Sequence, residues 1–484
     1  MTRLHRSSVA LAVSLALAAC SVAPIYQRPD VPTSPTFKEA PVDGGATWFP
    51  AAPADAIDRG DWWRLFDDPE LSRLASQVDA ANQTVAASVA SYRQAQALVR
   101  QARASYFPGV SLGVTASRSG GGSSNTPSKP TSVGASLGAD WEPDFWGRVG
   151  SAVAGARASE EASAADLAAA RLSAQGEMAI DYFSLREADE EAALLAETIE
   201  GYERALEITQ NRYTAGVVAK TDVLQAQTQL ATTRSSLATV RANRARFEHA
   251  IAVLTGQAPG SLSITPAPWN QRVPAVPLVV PSALLQRRPD IAASERGVAA
   301  ANAQIGVERA AYFPSLGLSA SLGNGGSRIG DLFRVSNALW SVGASVAQTV
   351  FDAGAISARV SGAEAARDAA AARYRQTVLA AFQGVEDQLT NARYQAEQAE
   401  LLRQASNAAD QTEQQVLNRY RAGQIGYTDV VTAQASALAA RRALVQVAVS
   451  RQISAISLIQ ALGGGWDVSA PAELKSSVRS DNEK

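Results

Sequence analysis

Asn211-Arg212-Tyr213-Thr214-Ala215-Gly216, followed after four residues by Thr221-Asp222-Val223, returns as Asn418-Arg419-Tyr420-Arg421-Ala422-Gly423 followed by Thr428-Asp429-Val430. Each copy closes a long run of helical pattern and opens another. Glycine tolerates the left-handed conformation that ends a helix, and Thr or Asp caps the next one, so each copy predicts a sharp helix-to-helix reversal. The two glycines lie 207 residues apart. A chain that makes the same hairpin twice at that separation is an internal duplication.

Working outward, Arg148 to Tyr213 contains no proline and few glycines, and Leu195, Ile199, Tyr202, Leu206, Thr209 and Tyr213 recur every four or three residues. That stripe predicts a coiled-coil-like helix over 147–215, on the order of 100 Å long at about 1.5 Å per residue. A return helix over 221–255 ends at Thr255-Gly256. The second copy predicts helices over 353–422, with Phe382, Val385 and Leu389 on the stripe, and over 428–462. A shorter helix runs from Asp68-Pro69 to about Ser105, where Tyr106-Phe107-Pro108 stops it; Tyr312-Phe313-Pro314 stops its counterpart at an offset of 206.

After each stop the period changes from 3.6 to 2. Val110, Leu112 and Val114 alternate with Ser111, Gly113 and Thr115, and Val133, Ala135, Leu137, Ala139 and Trp141 alternate with small polar residues. Leu316, Leu318, Ala320 and Leu322, then Trp340, Val342, Ala344 and Val346, repeat the pattern. These predict strands over 107–118, 131–144, 313–324 and 338–351, each near the roughly 9–11 residues that cross a bilayer. Repeat 1 thus spans 68–256 and repeat 2 spans 282–464, with an equatorial connector at 257–281, a Pro-rich extended arm at 20–67 and a flexible tail at 465–484. The fold class is mixed and mainly α.

Composition agrees. Of 484 residues 46% are apolar but only 6% aromatic, which suits Ala-rich helices packed closely rather than a thick globular core. The net charge of −2 and the scattered arginines argue against a nucleic-acid surface. Residues 1–19 read as a signal peptide, with Arg3, His5 and Arg6 ahead of the apolar run Val9 to Ala19. Cys20, the one cysteine, closes Leu17-Ala18-Ala19-Cys20, which resembles a bacterial lipobox. Cleavage at Ala16-Leu17-Ala18 is the bland alternative. The lipobox would make a covalent lipid on Cys20 the only attached group, with no cofactor and no metal expected. No other stretch approaches the 18 or more consecutive apolar residues of a spanning helix, so any membrane crossing falls to the strands.

Four strands cannot close, and an open edge in lipid leaves backbone groups unpaired at several kcal/mol each. Closure requires a cyclic oligomer of two, three or four chains. The residues then acquire a likeness. The lipobox, Asp61-Trp62-Trp63 with Phe66-x-Asp68-Pro69, Leu284-Leu285-Gln286-Arg287-Arg288-Pro289-Asp290-Ile291 and the duplicated Tyr-x-x-Gly…Thr-Asp-Val turn together resemble the TolC-like outer-membrane efflux proteins, in particular the NodT-type lipoproteins that serve resistance-nodulation-division pumps. The resemblance implies a homotrimer with a membrane barrel of four strands per chain, a long periplasmic helical barrel, and a periplasmic tip at the two turns. It implies an adaptor protein touching Gly216, Val217, Gly423 and Gln424, an inner-membrane pump, and outer-membrane lipid as partners. It also implies that Tyr420 and Asp222 link the hairpins when closed.

Asp222 and Asp429 fit helix caps, and Asp429 fits equally an acidic ring around a pore with cation selectivity. The family turn can carry an arginine and a second acid where this chain has Ile425 and Thr432, which thins the closing network around Thr432. The copies also diverge, Val217-Val218-Ala219-Lys220 against Gln424-Ile425-Gly426-Tyr427, which suggests docking and gating divided between them. No catalytic residue is expected. The Gly-x-Ser-x-Gly patterns at Gly109–Gly113 and Gly134–Gly138 lie in strands instead of an elbow. His249 has no metal partner, and Gly120-Gly121-Gly122 lacks the end of a phosphate loop. With no energising site, the chain reads as a passive export duct for small molecules. A type I protein-secretion duct and a non-channel coiled-coil lipoprotein are the alternatives.

Overall fold

A computed structural model describes residues 22–31, 36–39, 61–118, 131–274, 276 and 288–464. The signal segment 1–19, Cys20, the Gly120-Gly121-Gly122 loop, Leu284 to Arg287 and the tail 465–484 lie outside the described residues. The order is α1 (Pro69–Ala81), α2 (Gln83–Ala104), β1 (Gly109–Arg118), β2 (Thr131–Trp141), α3 (Arg148–Thr214), α4 (Lys220–Leu254), α5 (Pro289–Ala310), β3 (Ser315–Gly326), β4 (Ala338–Ala347), α6 (Ala355–Arg421) and α7 (Tyr427–Ala461). The duplication is plain in the lengths. α3 and α6 have 67 residues each, α4 and α7 have 35, and α2 and α5 have 22.

The chain forms two units, each drawing on both repeats. One comprises Met1–Val31, Ala90–Ala164 and Ala293–Gln376, the other Pro32–Val89, Ala165–Ala292 and Thr377–Lys484. The first unit holds the sheet, ordered β1-β2-β3-β4 and antiparallel throughout. Residues directly opposite share a face. Leu112 faces Leu137, Leu137 faces Leu322, and Leu322 faces Trp340, so one apolar face runs across all four strands. Ser111, Gly138, Ser321 and Ser341 follow one another on the opposite face. The strands start later or end sooner than the alternation suggests. Tyr106 and Phe107 are still in a helical turn, with their amides on Arg103 and Ala104, and β2 ends ahead of Pro143, which has no donor to give the ladder.

The second unit is held by a core in which Trp62, Phe66, Leu71, Leu74 and Val78 pack with Met178, Tyr182, Phe183 and Ile459. The Asp-Trp-Trp signature therefore supplies core anchors. Trp62 donates to Gln175 at 3.1 Å, and Asp68 caps α1 by accepting from the Glu70 and Leu71 amides while its other oxygen takes the Tyr182 hydroxyl at 2.7 Å. The connector is tied down by Asn270 on the Phe66 carbonyl and Trp269 on Gln452.

One expectation needs correction. The single helix expected from Pro69 to about Ser105 breaks at Asn82, which is extended (ψ 126) and buried. Its amide nitrogen reaches the Leu254 carbonyl at 2.9 Å and its oxygen accepts from Val85, so it starts a new helix while satisfying the end of α4. By length and mean hydropathy alone α7 could span a membrane, although polar and charged residues such as Arg441, Arg442 and Arg451 interrupt it and it has no run of 18 consecutive apolar residues. Yet 44% of its apolar window is buried, Ile456, Ile459 and Leu458 pack into the cores, and the polar Gln434 and Gln452 are also buried along the helix. Its hydropathy comes from Ala and Val at packing positions, as in a wall helix.

Candidate functional site

The two turns are built identically. Gly216 (φ 74) and Gly423 (φ 72) adopt the left-handed conformation. The Gly216 amide bonds Tyr213 and the Val217 amide bonds Arg212, while Gly423 bonds Tyr420 and Gln424 bonds Arg419. Those are the two bonds of a Schellman closure, so Val217 and Gln424 are the residues that seal each helix. Val217 is 62% exposed, and Gly216, Gly423 and Gln424 are exposed.

Thr221, Asp222, Thr428 and Asp429 do not cap the return helices. α4 and α7 begin at Lys220 and Tyr427 behind Ala219 and Gly426, with no side-chain cap bond. Both acids fall in the first turn, where a carboxylate is favoured by the helix dipole instead. Asp429 and Thr432 are exposed and Asp222 half-buried.

Tyr420 is different, at 5% exposure. Its ring packs edge-on against Tyr427 at 5.3 Å, with Ala226 and Val430 in the same cluster. The Arg212 guanidinium lies 4.7 Å from its centroid and donates to its carbonyl at 3.1 Å, and its hydroxyl approaches Thr209 at 3.5 Å. Gln225 and Thr428 meet at 3.4 Å. Turn one and turn two are thus joined chiefly through Tyr420 and Arg212, and Asp222 reaches the cluster only by its field. Burial, then Tyr420, Tyr202 and Asp222, push the Tyr427 hydroxyl up to about 12. Thr209 sits on the packed stripe and Arg212 in the repeated turn, but their shared partner Tyr420 belongs to the other repeat, so local pattern assigns neither a place in this cluster. Arg288, part of the arginine-proline motif, bridges Asp290 at 2.6 Å and the Ala461 carbonyl at 2.8 Å, closing the end of α7.

Farther along α3, Glu187 and Glu191 line a recess of about 320 Å³ with Asn243 and Arg442. Arg442 pairs with Glu191 at 2.5 Å. Burial, aided by the Glu191 charge and opposed by Arg442, lifts Glu187 from 4.5 to about 7. The folded chain therefore holds this proton where the unfolded chain has lost it, so the contribution favours folding most below pH 4.5 and fades as pH rises toward about 7. Glu187→Gln is expected to raise the melting temperature at about pH 8 and to leave it unchanged at about pH 4. An equal shift at both values would show that this carboxyl is not the titrating group.

At the sheet, β1 and β4 each have a neighbour on one side only among the described residues. The apolar face is bare, with Leu112 at 74%, Trp340 at 77% and Val342 at 76% exposure. Aromatic residues gather where strands meet helices. Trp141 donates to the Tyr106 carbonyl at 3.0 Å, and Trp146 donates to Pro314 at 2.7 Å and stacks on Phe313 at 4.7 Å. Phe333 and Val335 are exposed after β3. An apolar band with aromatic ends is the surface a bilayer selects. The arm is seated on the same unit. The Val22 amide bonds the Trp146 carbonyl at 3.5 Å, Asn302 holds the Pro24 carbonyl, and Tyr26 donates to Glu295. A side chain at Gly306 would collide with Ala23, which is why that position is bare.

Both Gly-x-Ser-x-Gly patterns lie inside the ladder, Ser111 opposite Gly138 and Ser136 opposite Gly113, with no elbow. His249 is exposed, and among the described residues no group of His, Cys, Asp and Glu is placed to hold a metal.

Comparison with known proteins agrees with this geometry. The profile of the outer membrane efflux protein family matches residues 74–257 and 280–464, one segment per repeat. The pyoverdine export outer membrane protein OpmQ of Pseudomonas aeruginosa is 32% identical over 88% of this chain and 93% of its own length. The outer membrane protein OprJ of the same organism is 30% identical, with 95% of each chain covered. The solved outer-membrane channel OprN superposes with a TM-score of 0.81 at 31% identity, covering 92% of this chain and all (100%) of that one.

Proposed function

This chain belongs to the outer membrane efflux protein family, and from that premise we propose that three copies close one twelve-stranded barrel through which small molecules leave the cell passively. As an outer-membrane efflux channel it needs partners inside the envelope. Its turns at Gly216, Val217, Gly423 and Gln424 meet a periplasmic adaptor, and an inner-membrane proton-driven pump supplies the energy. The observation that carries this reading is the four-stranded sheet with two unpaired edges, apolar on one face and lined by serine and glycine on the other. Such a sheet is stable in lipid only when its edges meet those of other copies. A non-channel coiled-coil lipoprotein has no use for it.

Asp429 and Asp222 give the mouth acidic character, with Tyr420 as the buried pin of the closed state and exposed Thr432 thinning the ring. Cys20 carries the lipid anchor. That assignment is supported by the arm, which two residues later is held against Trp146 in the aromatic belt. The exported compounds are small toxic molecules or metabolites, in line with the pyoverdine export recorded in the name of OpmQ.

Reconstitution in planar bilayers tests the duct. A cation-preferring conductance carried by a stable trimer is expected, and its absence would overturn the proposal. Metabolic labelling with palmitate tests the anchor. The wild type should incorporate label and Cys20→Ser should not, and equal labelling would remove the lipid from Cys20.

A further inference from the structure

Two arginines beside the strands take part neither in the fold nor in the turns. Arg103 lies in the last turn of α2 and Arg157 lies in α3, and both line a recess of about 510 Å³ with Tyr106, Phe107, Gly150 and Val153. Both are exposed, and among the described residues neither guanidinium has a hydrogen bond or ion pair. Other arginines of the same unit are matched, Arg148 with Glu142, Arg296 with Glu161 and Arg309 with Glu364. Among the described residues no carboxylate lines the recess. The nearby Asp144 is committed to the Val149 and Gly150 amides, and Arg93, Arg100 and Arg103 are the only charged residues of α2.

Its position gives these cations a partner. The Tyr106 carbonyl accepts from Trp141, which sits on the apolar face opposite Leu318, and β1 begins three residues later at Gly109. The recess therefore opens where the bare apolar surface stops. Phe107 at its rim is 71% exposed, Val110 above it 65%, and Val153 forms a buried wall. Two unmatched guanidiniums under an aromatic rim, continuous with a lipid-facing strand, fit a molecule with an anionic head and an apolar tail.

We propose that the recess binds a phospholipid of the periplasmic leaflet, its phosphate between Arg103 and Arg157 and an acyl chain along Phe107 and Val110. The proposal rests on the outer-membrane placement of the sheet. A free phosphate ion would satisfy the arginines but leave Phe107 and Val110 uncovered, so the apolar rim selects the lipid.

The test uses full-length protein, delipidated in detergent and titrated with phosphatidylglycerol, with retained lipid counted by native mass spectrometry. Arg103→Gln/Arg157→Gln should weaken retention on the order of tenfold, and Arg103→Lys/Arg157→Lys should keep most of it. Circular dichroism and detergent-resistant oligomer establish that the variants are folded. Unchanged retention in the glutamine variant would overturn the proposal, as would displacement of the lipid by equimolar inorganic phosphate. A shifted cation-to-anion permeability with lipid retention unchanged would overturn it too, because it puts the arginines inside the pore. Loss of conductance in the wild type bears on the trimeric duct alone, and lipid counting in detergent stays independent of it.

Discussion

Leu137→Arg abolishes assembly in the membrane, whereas Ser136→Arg, one residue away, assembles and alters only what passes. Leu137 lies on β2 between Leu112 and Leu322, in the middle of the apolar face. An arginine there faces hydrocarbon, at about 2–4 kcal/mol near the midplane. In a trimer the penalty recurs in every copy, roughly 6–12 kcal/mol in all, which rivals the whole stability of a domain. Ser136 points to the other face, opposite Gly113 and Gly323, where there are no side chains to displace. Its arginine projects away from lipid and adds positive charge to the lumen. The detergent-resistant trimer in outer-membrane fractions should therefore vanish for the first variant and persist for the second, with cation preference reduced in the second. Equal assembly of both would mean that the two faces have been assigned the wrong way round.

What could be read from the sequence follows from range. The reversals at Gly216 and Gly423 are dictated by one residue that accepts positive φ, and the strands by an alternation visible within ten residues, so both are local. The break at Asn82 is not. It depends on the Leu254 carbonyl, 172 residues away, which offers that asparagine a better partner than its own helix. The displaced caps have a similar origin. Thr and Asp are good caps in isolation, but the Schellman closure fixes where the chain leaves the glycine, and the return helix starts one residue before either of them arrives. The role of Arg212 was hidden for a third reason, since its partner Tyr420 belongs to the other repeat, 208 residues on.

The duplication explains why the turn cluster is asymmetric although its backbone is repeated. Gly216 and Gly423 have open space around them, so the frame is conserved at no packing cost. Side chains at equivalent positions have then specialised. Tyr213 of the first copy is 40% exposed, whereas Tyr420 of the second is buried beneath Arg212. The second turn supplies the buried tyrosine and the first the arginine that covers it, while Val217 stays exposed.

Replacing Tyr420 and Asp222 together with alanine is accordingly expected to raise single-channel conductance and shorten closed times. Removing the Tyr420 ring empties a site shared by Tyr427 and the Arg212 guanidinium, and truncating a buried aromatic costs about 3–5 kcal/mol where the surroundings cannot collapse. Here they cannot collapse well, because Ala226 and Val430, the other buried members of the cluster, are short side chains on helices. Arg212 also loses the ring it stacks on and keeps only a backbone carbonyl. Asp222 adds a smaller effect through its charge beside Tyr427. Tyr420→Phe separates ring from hydroxyl. The hydroxyl contact to Thr209 is 3.5 Å, at the limit of a hydrogen bond, so phenylalanine should conduct like the wild type. An unchanged conductance in the alanine double variant would remove both residues from the gate, and a phenylalanine variant as leaky as the double would make the hydroxyl, not the packed ring, the element that holds the mouth shut.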